Sequence, residues 1–544
     1  MATVLAPLRA IGSALPRRVA DWATHRRSEQ APPVLAPFRP LRTERETKQR
    51  RRRLLAVIGL IGAVYGFLVS IFPIAWYLYM LLPILVLAGL VIWALPESDT
   101  FPETWVENLF FLVFIGTFLW PNYLAIQFPG LPWITMVRLF GAPLFLVTMI
   151  SLSMSAVFRA RMAQAHSASP WLMRLMVAFV LIQTITLPLS KHIGDSFNRF
   201  LDAQFVWTTI FFVAGYVFQK PGRARTWAIL LCLMAILLCL LGAYELRVEH
   251  VLWAGEIPPF LVVQDERVQA ILAGGRRAAL ELYRIQATFS TSLNFSEYLA
   301  LATPFFLYFL LTVRSMTVKL LIIAYIPFSF YIIRGTDSRL GVVGFFASFL
   351  LYLLLWGLKT WAQRRQHLFA PAVVLAYPII ATAFYVLSLW WHRLEVMIWG
   401  GGAQQASNES RKEQWRMAVP KVLKWPFGNG IGEGANALGY TNAGGTLTID
   451  SYYLSIALEY GILGFFVYYG LIMTGVWQAV KHALRSSMEE AELLVPLAVA
   501  LTVFIIVKGV LSQDDSHSVI FMMLGMVAAL TARVNQTGSK MVRA

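Results

Sequence analysis

Apolar positions along much of this chain do not keep to one side. The segment 226–243, "TWAILLCLMAILLCLLGA", is apolar all round, whereas a helix at the surface of a soluble domain shows a stripe at a period near 3.6. Runs of about 18 or more apolar residues recur, and none carries the ten-residue alternation of a membrane barrel strand. Backbone groups in hydrocarbon must be satisfied within their own segment, so the pattern predicts α-helical spans. They fall at 54–70, 74–95, 108–126, 137–157, 172–190, 204–218, 226–243, 296–313, 318–333, 340–357, 370–390, 452–477, 493–511 and 518–532. The predicted fold is an all-α polytopic transmembrane helical bundle of fourteen spans. An arm at 1–53 precedes N-terminal helices at 54–243, a long external loop at 244–295 and central helices at 296–390. A second long external loop at 391–451, C-terminal helices at 452–532 and a tail at 533–544 follow.

Composition agrees and charge orients the bundle. The 544 residues are 58% hydrophobic and only 14% charged. With a cytoplasmic N-terminus, the short basic connections "FRARMAQ", "QKPGRARTW", "VRSMTVK", "KTWAQRRQH" and "KHALRSS" and the tail "ARVNQTGSKMVRA" all fall inside. "SQDDSHS", which has no Lys or Arg, falls outside with the two long loops, as the positive-inside rule requires. Both termini are therefore expected to be cytoplasmic. The first 53 residues, rich in Pro and Arg and ending in "KQRRRRLL", read as a disordered arm at the anionic leaflet rather than a nucleic-acid binder. Much of the +17 net charge lies there and in the inner loops, so it carries little information about substrate. Cys232 and Cys239 are seven apart on one predicted helix, about 10 Å along its axis, and cannot pair with each other. No Cys/His spacing suggests a structural metal.

Three patches put charge where hydrocarbon begins: "LYRIQATFSTSLNFSEYLAL" (282–301), "RGTDSRLGVVG" (334–344) and "TIDSYYLSIALEYGILG" (448–464). All three fall on one predicted face, a costly location unless each charge is paired or meets water. The first long loop has apolar positions three and four apart over 260–289, broken at Gly274-Gly275, and reads as helical material on the membrane surface. In the second, "ESRKEQWRMAVPKVLKW" sets Trp415, Val419, Val422 and Leu423 on one face and Arg411, Lys412, Arg416, Lys421 and Lys424 on the rest, an interfacial helix by composition. "FGNGIGEGANALGY" lacks the Lys-Ser/Thr ending of a phosphate loop and reads as a tight external turn.

Together these residues resemble the bacterial O-antigen ligase and polymerase superfamily. The resemblance rests on Arg284 with Thr288-Phe289 and Asn294, Ser338-Arg339, the stretch from Trp415 to Gly430, Asp450-Ser451, and Glu459 with Gly461 and Gly464. The short "FPGLPWITMVR" (128–138) looks like the family's early outer loop. Ala287 stands where Gly is usual, Leu293 where Pro is usual, and Asp450 where the ligases commonly show His; the last favours a polymerase.

The resemblance implies a fold like that of the membrane-embedded glycosyltransferases. It also implies metal-independent glycosyl transfer, without a cofactor, from an undecaprenyl-diphosphate-linked oligosaccharide at the external face of the bacterial inner membrane. Membrane lipid and a chain-length regulator are the expected partners, and nucleic acid is not. Loss of a lipid diphosphate develops negative charge that guanidiniums can hold through paired hydrogen bonds, and Arg284 and Arg339 are assigned that task. Asp450 is assigned the acceptor's proton. Arg138, Asn294, Ser338, Ser451, Arg411 and Arg416 complete the expected substrate contacts. Glu459 is expected about 10 Å inside its span, facing the bundle with Lys508 or a site arginine as counter-charge. A ligase acting on a lipid or protein acceptor would share this site. A lipid-linked oligosaccharide flippase would instead line a path deep in both halves with charge.

Overall fold

The computed structural model describes residues 49, 52, 53, 56, 57, 59, 60, 63, 87–98, 101–127, 133–263, 265–277, 282–364, 366, 368–399, 405–442, 445–486 and 488–543. The chain divides into two compact units, Met1–Asp99 and Thr100–Ala544. In the first, residues 87–93 are helical. Most of the predicted arm and most of the first and second spans lie outside the described residues.

The second unit is an all-α bundle. Its early helices are α1 (Glu103–Leu119), α2 (Met136–Met154), α3 (Ala156–Ser167), α4 (Pro170–Thr186), α5 (Ile193–Ala203), α6 (Thr209–Val217) and α7 (Arg223–Val248). The short α8 (Glu266–Leu272) is followed by α9 (Ser292–Thr312), α10 (Met316–Gly335), α11 (Arg339–Gln363) and α12 (Phe369–Trp390). α13 (His392–Ile398), α14 (Gln405–Lys424) and α15 (Gly434–Leu438) build the second long loop, and α16 (Tyr452–Arg485), α17 (Leu494–Lys508) and α18 (His517–Arg543) close the chain. Among the described residues, eleven helical runs are long and apolar enough to cross a membrane. They match the predicted fourth to fourteenth spans. Cys232 and Cys239 are both free and buried.

Several boundaries differ from the expectation for local reasons. The predicted span at 108–126 is α1, which stops at Leu119 because Trp120 turns extended ahead of Pro121. Ala125–Ile126 (β1) instead pairs antiparallel with Ile134–Thr135 (β2). The span expected at 204–218 starts eleven residues earlier: α5 is amphipathic and runs through a π-turn at Gln204–Thr208 into α6. Among its described residues the first long loop holds a 3-10 turn at Pro259–Leu261 and the seven-residue α8, followed by Gly275–Arg277 (β3) paired antiparallel with Leu282–Arg284 (β4). The tail from 533 is helical to Arg543.

The interior of the bundle is α9, α17 and α18, apolar and covered on nearly every side, while α12 is peripheral. α9 lies close against α11 through small residues: a Cβ on Gly341 would sit 2.5 Å from Ser296 Cβ, and one on Gly344 2.8 Å from Ala300 Cβ. Small residues let helix backbones approach and gain dispersion contacts where no hydrophobic drive exists between helices and lipid. The basic connection 219–225 is also structural, since Lys220 pairs with Glu103 at 2.7 Å and Arg223 with the buried Glu107 at 2.9 Å.

α16 is broken. Gly461 has φ 71 and ψ −174, a region reserved to glycine. The break frees backbone groups that the loop 426–430 satisfies: Asn429 N–H donates to Leu458 O at 2.9 Å, Gly430 N–H to Glu459 O at 2.9 Å, and Ile462 N–H to Pro426 O at 3.0 Å. The glycine-rich stretch expected to be a tight turn is a strap docked against an interrupted helix. It can approach because Gly428 has no Cβ, which would meet Glu459 O at 2.4 Å.

Candidate active site

A cavity of about 390 Å³ is lined by Arg284, Asp337, Arg339, Asn408, Arg411, Asp450, Ser512 and Gln513, with Leu293, Val343, Trp399, Ile506 and Val507 among its apolar walls. Its polar residues come from β4, the α10–α11 connection, the first residue of α11, α14, the residue pair preceding α16, and the α17–α18 connection. Arg284 Nε donates to Thr336 O at 3.0 Å and Nη2 to Asp337 O at 3.4 Å. Arg339 Nη1 donates to Trp399 O at 3.1 Å and Nη2 to Asn408 Oδ1 at 2.8 Å. Arg411 faces the charge of Asp450. Burial pulls its guanidinium down from the usual range, and Asp450 opposes that; an arginine stays charged regardless. The Asp450 N–H donates to Gln414 Oε1 at 2.8 Å, tying the residue to α14.

Each of these positions is held from behind. The buried Glu245, at the end of α7, accepts from Tyr283 Oη at 2.7 Å, Gln286 N–H at 3.2 Å and Ala287 N–H at 2.7 Å. It clamps the segment that carries Arg284. Ala287, where the family pattern has Gly, keeps a left-handed φ of 48, and the Glu245 bond secures that strained turn. Ile285 N–H donates to Gly335 O at 3.2 Å, joining this segment to the end of α10. Ser338 caps α11 through a 3.4 Å bond from Gly341 N–H and shares a 2.8 Å bond with Ser296 of α9. Asn294 is buried and donates to Ser290 Oγ and to the Asp515 carboxylate. Burial, reinforced by the charge of Asp514 and opposed by Ser290 and Asn294, pushes the Asp515 carboxyl up to about 6. Ser451 is buried ahead of α16, its Oγ without a hydrogen-bond partner among the described residues.

Several expected residues lie away from the cavity lining, Asn294, Ser338 and Ser451 among them. Arg138 is held outside the cavity in a two-pronged ion pair with Asp202, with Nη1 donating to Trp133 O at 2.7 Å and Nη2 to Asn198 at 3.2 Å. Arg416 is not among the cavity residues; its side chain is 84% exposed and lies 3.9 Å from Glu413. α14 packs Gln414, Ala418 and Val422 inward, against Leu438, Leu454 and Leu458 in the case of the apolar pair, and leaves Trp415, Val419 and Leu423 exposed. Lastly, Glu459 and Lys508 are not partners. Lys508 pairs at 3.0 Å with Glu297 of α9, both side chains fully buried, while Glu459 accepts from Ser455 Oγ at 3.0 Å and faces the charge of Arg199. Depth along the membrane normal allowed the predicted pair, but the two residues face different neighbours: α17 turns Lys508 toward α9.

Glu297, Glu245 and Asp515 were missed by the motif reading. Their signal in the sequence is a carboxylate within or beside an apolar run, a placement that needs a partner. Nothing in the sequence names that partner.

The arrangement gathers three arginines, Arg284, Arg339 and Arg411, and two aspartates, Asp337 and Asp450, around a cavity walled partly by apolar side chains. Such a set can hold a doubly charged phosphate group and, beside it, a hydroxyl. Residues 324–469, which contain Arg339, Arg411, Asp450 and the break of α16 at Gly461, match the family model described as O-antigen ligase. No curated protein gives a significant match. The match covers 146 of the 544 residues, and over this part the chain resembles the O-antigen ligase/polymerase superfamily.

Proposed function

We propose that the protein is the polymerase of polyprenyl-diphosphate-linked oligosaccharide repeat units, acting at the external face of the bacterial inner membrane. The match of residues 324–469 to the O-antigen ligase model supports glycosyl transfer of the ligase/polymerase type. The observation that carries the finer reading is the convergence of Arg284, Arg339, Arg411 and Asp450 on one cavity, from segments widely separated in the chain. The donor's diphosphate lies against the guanidiniums. The acceptor hydroxyl gives its proton to Asp450 as its oxygen bonds to the anomeric carbon, and the bond from that carbon to the phosphate oxygen breaks, releasing polyprenyl diphosphate. Charge that develops on the leaving oxygen meets donors already in place, which costs little reorganisation at the moment of reaction. Asp450, in the place where the ligases commonly show His, favours polymerization over ligation.

The test is an assay of purified protein in lipid nanodiscs with lipid-linked oligosaccharide. A ladder of lengthening products is expected. A single transfer to a lipid or protein acceptor would replace the polymerase reading by the ligase, and translocation without transfer would replace it by a flippase.

A further inference from the structure

A second polar cluster joins the α4–α5 connection to the glycine-rich strap. The buried carboxylate of Glu433 accepts from Ser190 Oγ at 2.8 Å, His192 N–H at 2.9 Å, His192 Nδ1 at 2.9 Å and Asn436 Nδ2 at 3.0 Å. Burial works against its charge, but the bonds from Asn436, Ser190 and His192 outweigh it and hold the carboxyl below the usual range. Because a carboxylate can only accept from Nδ1 here, the neutral imidazole is the Nδ1–H tautomer, and its Nε2 carries a lone pair. Nε2 has no hydrogen-bond partner among the described residues, and the His192 side chain is 57% exposed. Asn436 Nδ2 lies 3.4 Å from Nδ1 of the same ring; both nitrogens carry hydrogen, and both donate to Glu433.

Tying two loops together does not need this imidazole. Ser190, the His192 backbone and Asn436 already supply donors to Glu433, and fixing an exposed side chain loses rotamer freedom. What the extra bond achieves is an oriented acceptor at the surface, next to an amide. The cluster packs on α16, the helix that Asp450 precedes: beside Glu433, a Cβ on Gly434 would lie 2.8 Å from Ser455 Oγ. Ser455 is one helical turn, about 5.4 Å, beyond Ser451, the residue that follows Asp450. Oriented acceptors and amides beside a transfer site are the groups that read sugar hydroxyls.

We propose that His192 and Asn436 form a binding subsite for saccharide hydroxyls of the acceptor glycan, with Glu433 as the residue that positions the imidazole. The inference rests on the glycosyl-transfer reading and names the acceptor side of that site. The test uses full-length protein in nanodiscs and, as probe, the oligosaccharide released by mild acid from the lipid-linked pool of the producing cell. Binding is followed by saturation-transfer NMR, and transfer by varying this acceptor at fixed labelled donor. His192→Ala is expected to weaken oligosaccharide binding and raise the acceptor KM about tenfold, the effect of one lost hydrogen bond, with kcat, donor KM and melting temperature little changed. His192→Gln, which keeps an acceptor, should recover part of the loss. Undiminished binding by His192→Ala, or no binding by the wild type, would overturn the subsite. Wild-type protein that binds the oligosaccharide through His192 yet transfers nothing would sink the polymerase reading and leave the subsite standing.

Discussion

At the scale of single residues, the difference between a guanidinium and an ammonium decides the first prediction. Arg284→Ala and Arg339→Ala are each expected to abolish transfer while leaving membrane insertion intact, and the Lys variants to recover activity only in part. A guanidinium offers a planar fork to a diphosphate, and Lys offers a point charge. Activity assays with insertion checked by fractionation decide this, and a fully active Ala variant would exclude that residue from the diphosphate site. Asp515 gives a pH signature. Its carboxyl, at about 6 when folded against an ordinary 3.8, holds a proton in the folded protein that the unfolded chain has released. Its contribution to stability is therefore full below 3.8 and is lost as pH rises to about 6. Asp515→Asn keeps an acceptor for Ser290 and Asn294 and cannot ionise. Melting temperatures measured from pH 4 to 7 should fall less steeply for this variant than for the wild type, and an identical slope would refute the assignment. Arg339 and Asp450 were legible in the sequence as charges at span ends within recognisable motifs. His192 and Glu433 were not, because 241 residues separate them and only folding sets one beside the other.

At the scale of elements, the break in α16 and the buried pair between α9 and α17 do most to shape the site. Gly461→Ala would put a Cβ 2.0 Å from Pro426 O in a conformation closed to Ala, a loss of about 3 kcal/mol or more. The expected outcome is a large drop in melting temperature with release of the strap, read as faster proteolysis near Trp425; a wild-type melt would contradict the docked strap. Lys508 couples to the cavity more directly. It donates to Gln513 O as well as to Glu297, and Glu297 accepts from Ser516 Oγ at 3.0 Å, so the pair holds the connection that lines the cavity. Lys508→Met strands a buried carboxylate and should cost about 3–5 kcal/mol. The double change with Glu297→Leu removes both charges and should regain most of that stability. If the double variant is no more stable than the single, the two charges are not coupled. Gly461 was quoted in the sequence only as half of a Gly-x-x-Gly; the hydropathy of α16 is continuous across the break, so no local pattern announces it.

At the scale of the whole molecule, orientation is the property to test. Cysteine labelling at Gln264 and Ser407 should find both positions external; a cytoplasmic result at either would reverse the topology and remove the proposed site from the face where it is needed. The helical bundle and the spans from the fourth onward were determined by the sequence itself. The length of an apolar run and the bias of its flanking charges are local quantities, fixed by the thickness of a bilayer and the cost of unpaired backbone in it. The gathering of arginines near Asp450 was foreshadowed in the same way, since each is a charge at the end of a span. Tertiary structure alone decided which charges meet. It placed Arg138 against Asp202 and Lys508 against Glu297, set Glu459 facing Arg199, and left Arg416 exposed. Hydropathy specifies how deep a residue lies along the membrane normal, but the direction its side chain faces depends on how neighbouring helices rotate and pack, and that is settled only when the bundle closes.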